Sequence, residues 1–276
     1  MSDETVTSTS TPTVFRSADG LLLKGSFDSP GASPSSSVVL VHGGGVTREE
    51  GGFFTRLAAG LAGRGVASLR FDLRGHGESE GQQEDLTLAG VLNDIHAAVT
   101  HLRQLADAVP VNLLGASFGG GVSAYFTAHY RREVAKLVLI NPLINYKKRF
   151  VDDKPYWSDG QISEDAAREL SENGFLAHSA TFKLGRPLLN EVFYLRPDQA
   201  IEKITAPTLV LHGTGDTFIP VQSSRDYIAK IPAPTRLIEI DGAQHGIAVD
   251  NDPKYRDPRT QAWQATAIRD IADWVA

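Results

Sequence analysis

The sequence predicts an α/β fold in which a mostly parallel central sheet is flanked by helices on both faces. Short apolar runs rich in β-branched residues alternate with longer segments whose apolar residues recur at helical spacing. The chain has 276 residues, of which 41 % are hydrophobic and 22 % charged, so it is long enough to bury a sizeable core. These observations also exclude a fibrous or largely disordered protein.

Short apolar segments are the predicted strands. The first predicted element is a hairpin over Val14 to Phe27, which turns at Ala18-Asp19-Gly20, and a loop rich in Pro, Ser and Gly follows it. Strands that are buried on both faces are short and mostly apolar. The segments of this kind are Val38 to His42, Val66 to Phe71, Val111 to Gly115, Leu137 to Asn141, Thr208 to His212 and Arg236 to Ile240.

Helices are predicted between these strands. Leu86 to Leu105 is the clearest, because its apolar residues recur on one face. The others are Phe53 to Ala62, Ser117 to Tyr130, Val221 to Ile231 and Gln261 to Trp274.

Residues 143–206 break the alternation. They contain helical patterns such as Ser163 to Asn173 and many aromatic residues, but no convincing strand. A structureless loop of this length is uncommon in a compact domain, so we expect a cap insertion over the sheet. The aromatic residues could equally form a small core of their own. The predicted organisation is a flexible tail at residues 1–13, a core at residues 14–142 and 207–276, and the cap between the two parts of the core.

Composition excludes several functional classes. With 27 Lys+Arg against 33 Asp+Glu, the net charge of −6 argues against a general nucleic-acid binder. The chain has no Cys, which excludes disulfides, cysteine-ligated metals and a thiol nucleophile. No segment has the character of a membrane span, and the N-terminus lacks the basic and apolar regions of a signal peptide. We therefore expect a cytoplasmic protein.

The pentapeptide Gly115-Ala116-Ser117-Phe118-Gly119 carries the strongest chemical signal. It directly follows a predicted strand and directly precedes a predicted helix, which is the context of a nucleophile elbow. The serine in such a turn is strained, and flanking glycines remove Cβ atoms that would clash with the strand and the helix. Ser117 is therefore the predicted nucleophile, and a plain glycine-rich connection is the alternative.

A serine hydroxyl is a weak nucleophile, so it needs a base that an acid holds in place. His245, in a loop after the last predicted strand, is the expected base. Asp216 is the expected acid, because it follows Thr208 to His212 at the carboxyl edge of the sheet, where ligand sites gather. Asp241 is the rival acid, since it lies close before His245. A hydrogen-bonded loop histidine and a turn-forming aspartate are the alternatives without a catalytic role.

Backbone amides are the expected donors to the oxyanion of a tetrahedral intermediate. The elbow supplies the N–H of Phe118. The run His42-Gly43-Gly44-Gly45 follows a predicted strand and leaves its amides unshielded by side chains. Gly44 is the predicted second donor and Gly45 is its close alternative. The glycines could also serve only to permit a tight turn.

Together these motifs resemble the α/β-hydrolase superfamily from Val14 to Ala276. The run Asp72-Leu73-Arg74-Gly75-His76-Gly77-Glu78-Ser79 looks like the turn after the fourth strand of that superfamily, which implies structural roles for Asp72 and His76. The chain looks most similar to bacterial feruloyl-esterase-like and serine-aminopeptidase-like carboxylesterases. Esterases of the feruloyl type tend to have Gln at the position of Phe118 and a bulky residue at that of Gly44. Phe118 and Gly44 would suit a bulky or branched acyl group.

The expected function is that of a serine hydrolase, with no cofactor and no metal, that cleaves a carboxylic ester or a thioester through an acyl-enzyme. Its expected partner is a small acyl substrate, without nucleic acid or membrane; a carrier protein or coenzyme A thioester has no sequence support. Acyl transfer and carbon–carbon bond hydrolysis would use the same triad, and a non-catalytic ligand-binding protein is a further alternative.

A basic run, Lys147-Lys148-Arg149, lies near the start of the predicted cap. These side chains could meet an anionic substrate group such as a carboxylate or a phosphate. Asp152 and Asp153 follow closely and would offset much of the positive field. A solvated surface is therefore the favoured interpretation of this run.

Overall fold

The computed structural model describes residues 9–106 and 109–276. Its strands, in chain order, are β1 Thr9–Arg16, β2 Leu22–Ser29, β3 Ser36–Val41, β4 Val66–Phe71, β5 Val111–Ala116, β6 Leu137–Ile140, β7 Trp157–Ser158, β8 Gln161–Ile162, β9 Phe175–Ala177, β10 Lys183–Gly185, β11 Thr208–Gly213 and β12 Thr235–Ile240. Eight of them form one sheet in the order β1-β2-β4-β3-β5-β6-β11-β12. Strand β2 is antiparallel to both of its neighbours, and the other pairs are parallel. The predicted α/β class is therefore confirmed.

Helices pack against both faces of the sheet. They are α1 Phe53–Ala62, α2 Leu88–Leu105, α3 Phe118–His129, α4 Glu164–Asn173, α5 Arg186–Glu191, α6 Pro197–Ala200, α7 Val221–Ile228 and α8 Pro258–Val275. Residues of α1 and α8 belong to the hydrophobic cluster on one face of the sheet, and residues of α2 and α3 to the cluster on the other. Among the helices of residues 9–106 and 109–276, none combines the length and apolar character needed to cross a membrane.

Strand β3 shows why the central strands are continuous apolar runs. Val38 and Leu40 join the cluster that contains α1 and α8, whereas Val39 and Val41 join the cluster that contains α2 and α3. Successive side chains of a strand point to opposite faces, so a strand buried on both faces must be apolar at every position. The carboxyl ends of these parallel strands form one edge of the sheet, and the motifs singled out from the sequence follow those ends.

The first strand begins earlier than predicted. It starts at Thr9 rather than Val14, and its first part, Thr9 to Thr13, pairs with Gly25 to Ser29 of β2. This part of β1 is exposed apart from Thr13 and rich in Ser and Thr, so it lacks the apolar alternation that identifies a strand from sequence. Thr9 to Thr13 therefore belong to the sheet and not to a tail, and the rest of the predicted tail lies outside the described residues.

Residues 143–206, called the insertion below, contain strands where the sequence predicted none. Trp157–Ser158 pairs with Gln161–Ile162, and Phe175–Ala177 pairs with Lys183–Gly185, each antiparallel. Strands of two or three residues are too short to show a periodicity. The helix predicted at Ser163 to Asn173 is present as α4, with the Ser163 side chain as its N-cap.

Candidate active site

Ser117 lies in the sharp turn between β5 and α3. Its backbone has φ 50° and ψ −119°, a conformation that residues other than glycine rarely adopt. A Cβ on Gly115 would lie 2.4 Å from the carbonyl oxygen of Gly119, and one on Gly119 would lie 2.5 Å from that of His42. Both glycines are therefore required by close contact, as the elbow motif predicts.

The side chains of Ser117, His245 and Asp216 form one hydrogen-bonded series. Ser117 Oγ lies 2.9 Å from His245 Nε2, and His245 Nδ1 lies 2.7 Å from Asp216 Oδ2. Because a carboxylate only accepts, Nδ1 carries the proton, and Nε2 is free to accept from the serine hydroxyl. The structure thus brings together three residues that are far apart in the sequence.

Asp216 is buried, and both of its carboxylate oxygens accept hydrogen bonds. Its Oδ1 accepts hydrogen bonds from the backbone N–H groups of Phe218 and Ile219, at 2.8 and 2.9 Å. Burial on its own would raise the pKa of this carboxyl, but hydrogen bonds from His212 and His245 outweigh it and hold the pKa well below the ordinary value. Asp216 is therefore ionised at neutral pH.

Asn141 and His212 support Asp216, and the sequence did not single them out as site residues. Asn141, directly after β6, donates from Nδ2 to Asp216 Oδ2 at 2.6 Å. His212 Nε2 donates to the carbonyl oxygen of Ile219 at 2.8 Å and lies 3.4 Å from Asp216 Oδ2. Both residues lie at the carboxyl ends of adjacent parallel strands, which is the one feature of the sequence that could have identified them.

Asp241, the rival acid, has different contacts. It is exposed, and its Oδ1 accepts from the hydroxyl of Thr214 at 3.2 Å. Thr214 Oγ1 in turn accepts from the N–H of Gly242 at 2.8 Å, so these contacts organise the turn after β12. Of the two carboxylates, Asp216 is the one hydrogen-bonded to His245.

The amides of the three consecutive glycines have different partners. Gly43 N–H donates to Glu50 Oε2 at 2.8 Å, and Gly45 N–H donates to His76 Nε2 at 3.0 Å. Within the described residues, no protein acceptor is found for the N–H of Gly44 or of Phe118. Gly44 and Phe118 are thus the predicted donors whose amides are unused, whereas that of Gly45 is engaged.

His42 fixes the direction in which the Gly44 amide points. Its Nδ1 donates to the carbonyl oxygen of Gly43 at 2.7 Å, and its Nε2 accepts from the N–H of Leu73 at 3.0 Å. Burial lowers the pKa of His42 to about 3, so the ring is neutral. The carbonyl of Gly43 and the N–H of Gly44 belong to one trans peptide and point in opposite directions. Holding the carbonyl therefore orients the amide, and a Cβ on Gly43 would lie 3.2 Å from that of Ser117.

Asp72 and His76 have structural contacts. Asp72 accepts hydrogen bonds from the N–H groups of Arg48 and Glu78, at 2.7 and 3.0 Å. His76 donates from Nδ1 to the carbonyl oxygen of Arg74 while its Nε2 binds the glycine loop. Both residues join the turn after β4 to the loop after β3, as the resemblance to α/β hydrolases implies.

Glu50 is a further carboxyl group beside Ser117 and His245, and no sequence pattern identified it. It lines a small cavity with Ser117, Asn141 and His245. Burial raises the pKa of Glu50, although the hydrogen bond from Gly43 N–H opposes that effect. In the part of the chain that the structure describes, no three His, Asp or Glu side chains are grouped so that they could hold a metal ion.

Phe118 is a predicted oxyanion donor through its amide, and its ring belongs to the core. The ring is 2 % exposed and packs against Tyr146 and Phe182 of the insertion, with centroids 5.1 and 5.3 Å away. Phe182 also covers the glycine loop, because a Cβ on Gly44 would lie 2.8 Å from its ring. The missing side chain of Gly44 therefore makes room for Phe182, and the preference for a bulky acyl group stays a prediction.

Several known proteins are similar to this chain. The family described as "Serine aminopeptidase, S33" matches residues 32–159. A monoglyceride lipase from Homo sapiens is 28 % identical over 226 residues, which cover 72 % of this chain and 71 % of that protein. A monoacylglycerol lipase from Mycolicibacterium smegmatis is 25 % identical in an alignment that covers 98 % of each chain.

Solved structures share the fold. Est1E from Butyrivibrio proteoclasticus, with ferulic acid bound, aligns with a TM-score of 0.75 over 94 % of this chain and 100 % of that chain, at 24 % identity. A monoacylglycerol lipase from Paleococcus ferrophilus aligns with a TM-score of 0.63 over 97 % of this chain and 98 % of that chain, at 21 % identity.

Proposed function

The chain is an α/β hydrolase, a serine hydrolase that cleaves ester bonds, and we propose that Ser117, His245 and Asp216 are its catalytic triad. The observation that carries this proposal is the hydrogen-bonded series from Asp216 through His245 to Ser117, in which the serine occupies a strained turn. Strain of this kind persists where the surrounding structure enforces it, and it is typical of functional sites.

The proposed reaction has two halves. Ser117 Oγ attacks the carbonyl carbon of the ester while His245 Nε2 takes the hydroxyl proton, and His245 then protonates the departing alcohol. Water attacks the acyl-enzyme in the second half, again losing its proton to His245, and releases the carboxylic acid. The ionised Asp216 stabilises the imidazolium that forms in each half.

The proposed oxyanion hole consists of the N–H groups of Gly44 and Phe118. Its support is that these amides have no protein acceptor within the described residues, whereas those of Gly43 and Gly45 do. Preorganised donors of this kind stabilise the charge that develops on the carbonyl oxygen. His42 contributes by holding the peptide between Gly43 and Gly44.

The substrate that we propose is a carboxylic ester of a small molecule, with the insertion acting as a cap over Ser117. Support for an oxygen ester comes from the relatives, which are named as lipases of monoglycerides. Support for a cap comes from Tyr146, Phe150 and Phe182, which pack around Phe118 next to the nucleophile. Thioester hydrolysis and acyl transfer would use the same residues, so they belong in the test.

The test is covalent labelling with a fluorophosphonate, read by intact mass, followed by a panel of oxygen esters and thioesters of short to long acyl chains. We expect a single adduct on the wild type and none on Ser117→Ala. Ser123→Ala is the matched control, because this buried serine on α3 has no hydrogen-bond partner at Oγ within the described residues, and it should label normally. Absence of an adduct on the wild type, or its persistence in Ser117→Ala, would refute the proposed nucleophile.

A further inference from the structure

The three consecutive basic residues of the insertion differ in their partners. Lys147 forms an ion pair with Asp152, and Lys148 forms one with Asp153. These two lysines therefore fit the interpretation favoured from the sequence, a solvated surface whose positive charge is offset by nearby aspartates. Arg149 has no ion pair and no side-chain hydrogen bond within the described residues, and its Nε is buried without a partner.

The guanidinium of Arg149 lies beside the catalytic base, with one aromatic ring between them. It stacks on Phe218, with its central carbon 3.9 Å from the ring centroid, and the Phe218 ring lies 4.9 Å from the ring of His245. Arg149 and Phe218 line a cavity of about 280 Å³ together with Leu143, whose N–H donates to the carbonyl oxygen of Ser117 at 2.9 Å. The cavity therefore adjoins the site on the side of the insertion.

The charge around this cavity is positive and only partly compensated. Burial lowers the pKa of Lys154, and the charge of Arg149 lowers it further. Burial, followed by the charges of Lys154 and Arg149, lowers the pKa of His178 to about 4, so this ring is neutral at pH 7. His178 also packs against Phe218, with centroids 5.9 Å apart. Two carboxylates offset part of this charge: Asp153, which lines the cavity and pairs with Lys148, and Asp216 both act to raise the pKa of Arg149, against the lowering by burial.

An arginine stays protonated in proteins, and an unpaired, partly buried guanidinium retains its capacity to bind two oxygens of a carboxylate or a phosphate. We propose that the cavity beside Arg149 binds an anionic oxygen group of the substrate, a carboxylate or a phosphate, so that the enzyme prefers charged esters to neutral esters of the same length. This inference rests on the proposed esterase function and names a substrate class for that site.

The test compares charged with neutral esters. The monoethyl esters of succinic, adipic and suberic acid are paired with the ethyl esters of butyric, hexanoic and octanoic acid. We expect kcat/KM of the wild type to be about tenfold higher for at least one charged ester than for its neutral partner, the size of one hydrogen bond to a charged group. In Arg149→Met this ratio should fall by about the same factor, and Arg149→Lys should retain part of it.

Lys147→Met is the matched control, since it removes the same charge from a paired residue outside the cavity, and it should leave the ratio unchanged. Adipate and inorganic phosphate serve as inhibitors of ethyl hexanoate hydrolysis. Inhibition by either one that is lost in Arg149→Met supports the proposal and identifies the anion. Fluorophosphonate labelling of each variant shows whether its active site is intact.

Two further outcomes would overturn the inference and leave the esterase function standing. One is a wild type that hydrolyses neutral esters at least as well as every charged partner. The other is an Arg149→Met variant that labels normally and keeps the charged-to-neutral ratio of the wild type. Failure of the proposed function has a different signature, because neither ester class would then be hydrolysed and the fluorophosphonate would not label Ser117.

Discussion

Two regions of the molecule meet at Ser117, and they are held in place by different means. At the carboxyl edge of the sheet, close backbone approach determines the structure: Gly115 and Gly119 leave no room for a Cβ. In the insertion, side chains determine it, since Phe150 and Phe182 pack around the ring of Phe118. A backbone constraint leaves glycines at fixed positions in the sequence, whereas a packing constraint can be met by many apolar side chains.

The comparison predicts that the sheet edge supplies the chemistry and the insertion supplies selectivity. Substitutions at the edge should therefore change kcat by large factors. Substitutions in the insertion should change substrate preference or stability by smaller ones.

The largest effect is expected for Asp216→Asn. The asparagine would keep the size of the side chain but remove the charge that orients His245 and stabilises its imidazolium, so kcat should fall about 10⁴-fold. Hydrolysis of an activated ester by purified protein measures it, with circular dichroism to show that the fold is retained. Asp241→Asn is the matched control and should stay within about twofold of the wild type, because Asp241 contacts Thr214 instead. If Asp241→Asn were the inactive variant, the acid would be misassigned.

The next largest effect is expected for Gly44→Ala, at a point where the loop after β3 contacts Phe182 of the insertion. In Gly44→Ala the new Cβ would lie 2.8 Å from the Phe182 ring, so the glycine loop and its amide must shift. Loss of one oxyanion donor lowers kcat by about a hundredfold or more. The double variant Gly44→Ala/Phe182→Leu should recover part of that loss, because the smaller side chain gives the methyl group space.

Gly63→Ala is the control for the effect of an added methyl group, at the residue that follows α1. Its Cβ would have contacts no shorter than 3.5 Å and its φ is −62°, so kcat should stay near that of the wild type. A Gly44→Ala variant with wild-type kcat would show that the amide of Gly44 does not bind the oxyanion. A double variant no more active than Gly44→Ala would show that Phe182 does not set the position of the loop.

The same division explains what the sequence could predict. The sheet, the elbow and the three triad candidates follow from local patterns, because each depends on neighbours close in the chain or on the ends of parallel strands. Glu50 had no recognisable pattern, since Arg48-Glu49-Glu50 is typical of a solvated charged loop. Its contact with Gly43 depends on how the loop folds back.

The insertion was less predictable for a related reason. Its two hairpins are too short for periodicity, and the partners of its aromatic side chains lie in α3 and in the loop after β3. The sequence left open whether these aromatic residues pack among themselves or line the site. Phe150 and Phe182 do pack into the core, whereas Tyr194 is 84 % exposed. The contacts in the structure, and not the sequence, distinguish the buried aromatic residues of the insertion from the exposed ones.

The smallest predicted effect concerns stability in acid and compares His178 of the insertion with His42 of the sheet edge. Burial lowers the pKa of His42 to about 3, and burial together with Lys154 and Arg149 lowers that of His178 to about 4, from 6.5 for both in the unfolded chain. Below pH 6.5 the unfolded chain therefore binds protons that the folded protein does not. The free energy of unfolding should fall as the pH decreases through that range.

A difference of one proton changes the free energy of unfolding by about 1.4 kcal/mol per pH unit, and solvent screening of the half-buried His178 should reduce its share. His178→Gln should therefore make stability less dependent on pH between 6.5 and 4, as measured by urea unfolding at several pH values. In His42→Gln the stability should also depend less on pH, down to about pH 3. This substitution also removes the hydrogen bond from His42 to the carbonyl oxygen of Gly43. If His178→Gln unfolds with the same pH dependence as the wild type, folding does not lower the pKa of His178, and its burial in the insertion costs the protein no stability in acid.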